Sequence, residues 1–183
     1  MNEVLKQIKN RKSMRVFEEQ AIPDEIKREI LNAAFEAPTA GAMQLYSILD
    51  ITDEELKKKL SIACDNQPFI AKAPMVLVFL ADYQRWYDSY CIADCNPRKP
   101  GEGDILLACA DAMIAAQNTV IAAESLGVGS CYIGDIIENC ETVRELLGLT
   151  DYVLPIAMLV YGYPRSEERR VGKECRSRGS PYH

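Results

Sequence analysis

The residues of this chain best suited to bind a ligand form a short basic cluster near its start. Arg11-Lys12-Ser13-Met14-Arg15 places three cations and one hydroxyl within five residues, although the chain has a formal net charge of −6. Guanidinium groups offer forked donors that match phosphate oxygens, and a serine hydroxyl adds a neutral donor. The cluster therefore indicates a phosphate clamp, with a solvated basic turn as the alternative.

Two other stretches have compositions that suit either a ligand or plain packing. Residues 37–46 read APTAGAMQLY, a loop whose small residues let the backbone approach a ligand or pack a tight turn. Aromatic side chains then recur at helical spacing, at Tyr83, Trp86, Tyr87 and Tyr90. Such a stripe is typical of packing, and a wall over a flat ligand is the alternative.

The scarcity of histidine restricts which reactions the side chains can catalyse. His183, the last residue, is the only histidine. Ser-His-Asp catalysis, Cys-His catalysis and histidine-bound metals are therefore excluded. If the chain is an enzyme, we expect a cofactor to carry the chemistry.

The chain contains seven cysteines. We expect no secretory signal, because residues 1–15 are polar and charged. This combination predicts reduced thiols and a cytoplasmic location. Cys91 and Cys95 lie four residues apart, but no second pair or histidine stands near them, so we predict no metal site. The acidic balance and the absence of a long basic run disfavour nucleic acid as a partner.

A long alanine-rich stretch must position these groups. Residues 103–135 begin as a proline-free helix, which we expect to stop near Gly127, and continue as a strand over Ser130–Ile133. Four polar residues interrupt the helix and argue against a membrane span: Asp111, Gln117, Asn118 and Glu124. The helix should therefore be buried in protein, where its alanines allow close approach of another helix of the same or a partner chain. We expect a ligand where helix gives way to strand.

The remaining pattern predicts one domain over residues 1–164. We predict helices over 2–10, 22–37, 52–63 and 141–147, the third beginning with a capping box of Thr52 and Glu55. We predict strands over 47–51, 75–81 and 156–161; the second is continuously apolar and should be covered on both faces. Residues 165–183 are crowded with charge and nearly lack apolar groups, so we expect a disordered or non-native tail.

Four stretches in this order resemble the motifs of the nitroreductase family of flavin enzymes, over about residues 1–164. Arg11-Lys12-Ser13-x-Arg15 is similar to the family's phosphate motif, and residues 37–46 are similar to its Ala-Pro-Ser-x-x-Asn-x-Gln-Pro-Trp loop. The third stretch is Asn66-Gln67 ahead of Ala73-Pro74, and the fourth is residues 127–135 after an Ala-Ala-Gln-Asn helix.

The resemblance implies an α+β fold with a central, mainly antiparallel sheet wrapped by helices. It also implies a homodimer that binds FMN at the dimer interface. Carried over by position, the phosphate and ribityl chain are held by Arg11, Lys12, Ser13 and Arg15. The flavin is lined by Pro38, Thr39 and Ala40, Asn66 contacts its polar edge, and the ring face and N5 lie against Tyr132, Ile133 and Gly134.

The implied activity is transfer of a hydride from NAD(P)H to the flavin and then to a nitroaromatic or quinone-type acceptor, with no catalytic side chain. A flavin-binding protein without turnover, for storage or sensing, is the alternative, and a non-flavin enzyme on this fold is a third.

The chain departs from the family pattern at Ala42, in place of asparagine, and at Leu45-Tyr46, in place of Pro-Trp. The tail departs most: Arg169 or Arg170 could imitate the cation that the family brings to the phosphate, but nothing there resembles the family's segment that crosses to the partner subunit.

Overall fold

The computed structural model describes residues 2–165, so the predicted tail lies outside the described residues except for Arg165. The helices are α1 (Glu3–Asn10), α2 (Asp24–Phe35), α3 (Glu54–Ala63), α4 (Pro68–Lys72), α5 (Gln84–Ile92), α6 (Glu102–Ser125), α7 (Asp135–Glu138) and α8 (Cys140–Leu147). The strands are β1 (Tyr46–Asp50), β2 (Met75–Asp82), β3 (Gly129–Ile133) and β4 (Val153–Gly162).

The four strands form one antiparallel sheet in the order β1-β2-β4-β3. Side chains of a strand alternate between the two faces of the sheet. Met75, Leu77 and Phe79 pack on the face that α2 and α6 cover. Val76 and Val78 pack on the opposite face, with residues of α3, α4 and α8. The predicted α+β class is confirmed, and so is an apolar strand covered on both faces.

Helix α6 occupies the place predicted for the buried alanine-rich helix. Its 24 residues are long and apolar enough to cross a membrane by length and composition alone. In the structure eight of them are buried, and the helix packs on α2 and the sheet. Its polar groups bond to protein: the Asn118 amide donates to the Ala33 carbonyl at 3.1 Å, and the Thr119 and Tyr161 hydroxyls lie 2.6 Å apart. The prediction of a core helix is therefore confirmed.

The N-cap of helix α3 lies one residue later than predicted. The N-cap is Asp53, whose carboxylate accepts a hydrogen bond from the Leu56 amide at 2.6 Å. The predicted capping box of Thr52 and Glu55 is therefore wrong. Two overlapping cap patterns differ by one residue here, and an aspartate also interacts favourably with the positive end of the helix dipole.

Three other details were missed because the sequence pattern was too short or misleading. Helices α4 and α7 contain five and four residues, too few to show a helical period. Strand β4 begins at Val153 rather than Ile156 and so includes Pro155. The register against β2 shifts between Phe79 and Leu80, an irregularity of the kind that accommodates a proline within a strand.

The segment after α1 crosses the end of the sheet. Ser13 forms a parallel bridge to Ser130 of β3, and Phe17 forms an antiparallel bridge to Pro164. This crossing requires glycine beneath it, because a Cβ on Gly162 would lie 2.6 Å from the Phe17 Cγ.

Replacing Gly162 by alanine should destabilise the fold through this clash. We expect a loss of about 1–3 kcal/mol in the free energy of unfolding, the usual cost of overpacking. Urea denaturation would measure it. The matched control is Gly103→Ala, because a Cβ there meets nothing within 4 Å and alanine is the better helix former. A Gly162→Ala variant as stable as the wild type would show that Phe17 moves aside freely.

Candidate functional site

The predicted phosphate clamp lies against β3. The Met14 amide donates to the Ser130 carbonyl at 2.9 Å, which holds the basic segment beside the strand. Burial raises the pKa of the Tyr132 phenol to about 12, while the nearby Arg11 guanidinium acts in the opposite direction. The Tyr132 hydroxyl donates to the Gln117 amide oxygen of α6 at 3.3 Å. Tyr132 therefore joins β3 to α6 close to the basic segment.

Beyond Tyr132, the end of β3 is open. Ile133 is buried, but Gly134 is exposed, and a Cβ on Gly134 would meet nothing within 4 Å. Successive backbone amides of a strand point to opposite sides. Since Ser130 faces the basic segment, the Tyr132 backbone faces the same outer edge. The outer edge of β3 is therefore bordered by the backbone of the basic segment at Ser130, and it continues past Tyr132.

The Asn66-Gln67 stretch joins the same region through Gln67. Its side-chain amide donates to the Asp135 carboxylate at 2.8 Å and to the Cys64 carbonyl at 2.9 Å. Asn66 is exposed and shares with Asp135 the lining of a small polar cavity of about 550 Å³. Gln67 and Asp135 were not among the predicted site residues. The adjacency of Gln67 to Asn66 in the motif was the one available signal.

The loop over residues 37–46 is attached to α6. Ala40 begins a short 3-10 helix, Ala40–Ala42, and its amide donates to the Asp111 carboxylate at 3.0 Å. The Leu45 amide donates to the same carboxylate at 3.3 Å, and the Gln44 amide donates to the Thr39 hydroxyl at 2.7 Å. Asp111 was noticed only as a polar interruption of the helix, and nothing in the sequence linked it to the loop.

Helix α5 holds the same loop from the other side. The Trp86 indole donates to the Met43 carbonyl at 2.7 Å, and the Arg85 guanidinium donates to the Gln44 carbonyl. Tyr83 and Trp86 pack against a small core cluster that contains Leu45. The packing interpretation of the aromatic stripe is therefore confirmed for these two residues.

The departures at Leu45 and Tyr46 are packing residues. Leu45 is fully buried, and the Tyr46 hydroxyl donates to the Ala34 carbonyl of α2 at 3.0 Å. Tyr46 also stacks on Phe35, with ring centroids 6.5 Å apart. These two residues therefore fasten the loop to the core.

The predicted site residues thus fall into two groups in one chain. The first lies along β3 and just beyond it, in three parts: the basic segment with Arg11, Lys12 and Ser13, the strand residues Tyr132 and Ile133 with Gly134, and Asn66 next to the Gln67–Asp135 contact. The second is the loop of Pro38, Thr39 and Ala40, which is fastened to α5 and α6. Arg15, the remaining predicted residue, belongs to neither group. It lines another cleft, of about 790 Å³, together with Lys57, Lys72 and Arg165.

No side chain of the described site has a shifted pKa that moves it toward neutrality. Burial raises the pKa of the Cys64 thiol to about 12, and Asp135 adds to that effect. Tyr132 likewise stays protonated at neutral pH. Over residues 2–165 no group of three or more histidine, cysteine, aspartate or glutamate side chains is arranged to hold a metal ion.

Comparison with known proteins gives consistent results. The sequence model of the nitroreductase family matches residues 8–163. An FMN reductase (NADPH) of Bacillus subtilis (strain 168) is 36% identical over 169 residues, which are 90% of this chain and 67% of the relative. An NADPH-dependent oxidoreductase of Staphylococcus aureus (strain USA300) is 29% identical over 91% of this chain and 66% of its own length.

Solved structures match equally well. NfrA2 of B. megaterium superposes with a TM-score of 0.86 at 36% identity, covering 91% of this chain and 68% of that one. An NADPH:FMN oxidoreductase from Vibrio harveyi, complexed with NAD+, superposes with a TM-score of 0.84 at 29% identity, covering 100% of this chain and 79% of that one. The chain spans about two thirds of the length of the curated relatives it matches. On the family match and the fold together, the chain belongs to the nitroreductase family.

Proposed function

We propose that this chain is an FMN-dependent oxidoreductase that takes a hydride from NAD(P)H and passes it to a nitroaromatic or quinone-type acceptor. The names of its relatives support FMN as cofactor and NADPH as donor. The observation that carries the proposal is the Ser13–Ser130 bridge, which joins the basic segment to β3 near the start of a strand whose other end is open at Gly134. This joining supports the proposal because it holds the basic segment along the same strand that ends in an open space.

The residues present fit FMN by the chemistry of their donors. Arg11 and Lys12 supply charge for a phosphate monoester, and Ser13 adds a neutral donor. The open space at Gly134 leaves room for a ring against the end of β3. FMN supplies the two-electron chemistry when bound, and the protein's contribution is binding, orientation and electrostatics.

The chain's own residues hold the basic segment in place and add no tyrosinate charge to the site. The Met14–Ser130 hydrogen bond fixes the basic segment, so the cations require little reorganisation to meet a phosphate. Tyr132 remains neutral at physiological pH, since its pKa is raised to about 12. Its hydroxyl donates a hydrogen bond to the Gln117 side chain. A neutral ring beside Arg11 leaves that cation free of an adjacent tyrosinate charge. Hydride transfer requires no titrating side chain here.

A homodimer is part of the proposal. Helices α1 and α6 touch each other and carry exposed apolar side chains: Val4, Leu5, Ile8, Leu106, Leu107, Met113 and Ile114. An apolar surface of this extent on neighbouring helices is typical of a protein interface. A second copy suits this surface because the resemblance implies FMN at a dimer interface, where a partner's loop would complete the first group. The six free cysteines of the described chain agree with the cytoplasmic location proposed here.

The purified protein should show the absorbance spectrum of oxidised flavin, and NADH or NADPH added without air should bleach it. Chromatography of the acid-released cofactor should identify FMN. A flavin that stays oxidised would favour the binding protein without turnover. A protein that takes up no flavin, even when FMN is supplied, would contradict the proposal.

Replacing Arg11 by alanine should weaken FMN binding by about 1.5–3 kcal/mol, the range for hydrogen bonds to charged groups. Ser13→Ala should cost less, because its donor is neutral. Fluorescence titration of the apoprotein with FMN would measure both. Arg28→Ala, which removes an equal charge from the exposed face of α2, is the control. Equal FMN affinity in the Arg11 variant and the control would remove Arg11 from the clamp.

The double variant Leu107→Glu/Ile114→Glu should be monomeric where the wild type is dimeric. These residues lie seven positions apart, on one face of α6, and both are exposed in the single chain. Charges buried in an interface without partners are strongly unfavourable. Sedimentation velocity would compare the two proteins. The control is Ile92→Glu on α5, where the side chain is 85% exposed; if the double variant stays dimeric like the control, the interface lies elsewhere.

A further inference from the structure

The loop that carries Pro38–Ala40 has an unusual backbone. Gly41, Ala42 and Gln44 all have positive φ, at 56°, 56° and 49°. Alanine and glutamine rarely adopt this conformation, and such residues persist only when the surrounding structure determines them. Something outside the loop must therefore hold it.

The carboxylate of Asp111 supplies that support from α6. Asp111 is only 3% exposed, and it accepts from the Ala40 amide at 3.0 and 3.3 Å and from the Leu45 amide at 3.3 Å. These two amides lie on either side of the strained residues. A buried carboxylate is costly without hydrogen bonds, and here its bonds close both ends of the turn.

The carbonyls of the loop are held separately by α5. Trp86 binds the Met43 carbonyl and Arg85 binds the Gln44 carbonyl. The loop is therefore braced through its amides by one helix and through its carbonyls by another. Among the described hydrogen bonds from α5 and α6 to this loop, only those of Asp111 reach Ala40.

We infer that Asp111 is a positioning residue for the cofactor: its carboxylate fixes the backbone of Pro38–Ala40 in the conformation that lines the flavin. The inference rests on the proposed function. Asp111 acts through the loop, so losing its charge alters how the loop meets a ligand while the apolar packing of α6 remains.

The test is Asp111→Asn, which keeps the shape but replaces one acceptor oxygen by a donor that faces a backbone N–H. Hydrogen exchange of the apoprotein, read by NMR or mass spectrometry, should show faster exchange at Ala40 and Leu45. FMN titration should show about a tenfold loss of affinity, which corresponds to losing one charge-assisted bond. The control is Asn118→Ala on the same helix, which loses a bond to α2 rather than to the loop. It should leave loop exchange and FMN affinity unchanged.

A second variant tests the same loop in case Asp111→Asn fails to fold. Arg85→Met removes an exposed brace of the Gln44 carbonyl without touching the core, and it should change loop exchange and FMN affinity in the same direction by less. Faster loop exchange with unchanged FMN affinity in both variants would overturn the inference, and so would unchanged exchange. A wild type that binds no FMN would instead overturn the proposed function, and the exchange data would still report separately whether Asp111 holds the loop.

Discussion

The packing of α6 against the sheet and α2 is the interaction on which the rest of the structure depends. Its alanines let α2 and the strands approach closely, and several of its polar side chains bond to neighbouring elements. Asn118 ties it to α2, Thr119 ties it to Tyr161 of β4, and Asp111 ties it to the loop over residues 37–46. One helix therefore sets the relative positions of the sheet, the loop and the end of β3.

The same helix organises both halves of the candidate site. Gln117 meets Tyr132 beside the basic segment, and Asp111, less than two turns earlier, holds the loop. Neither Cys64 nor Tyr132 is prepared as an acid, base or nucleophile at neutral pH, since burial moves the pKa values of both away from neutrality. Such a site suits a protein that binds and orients a redox cofactor rather than one that catalyses through its side chains.

Prediction from sequence succeeded where the signal was long or chemically distinct. A 24-residue alanine-rich helix and a continuously apolar strand are strong patterns, and both were placed to within a residue or two. It failed for α4 and α7, which are too short to show a period, and for the cap of α3, where neighbouring residues compete. It also began β4 too late, after Pro155, because the irregular register that accommodates a proline is set by the partner strand.

The sequence by itself determined the fold class, the family and the residue types available for binding, because periodicity, composition and motif order are local properties of the chain. Only the tertiary structure decided which of those residues meet. It brings Ser13 next to Ser130 and Gln67 next to Asp135. It also lets the Asp111 carboxylate accept a hydrogen bond from the Ala40 amide, 71 positions away in the chain. Contacts at that separation arise from the packing of helices on the sheet, and no spacing along the chain encodes them.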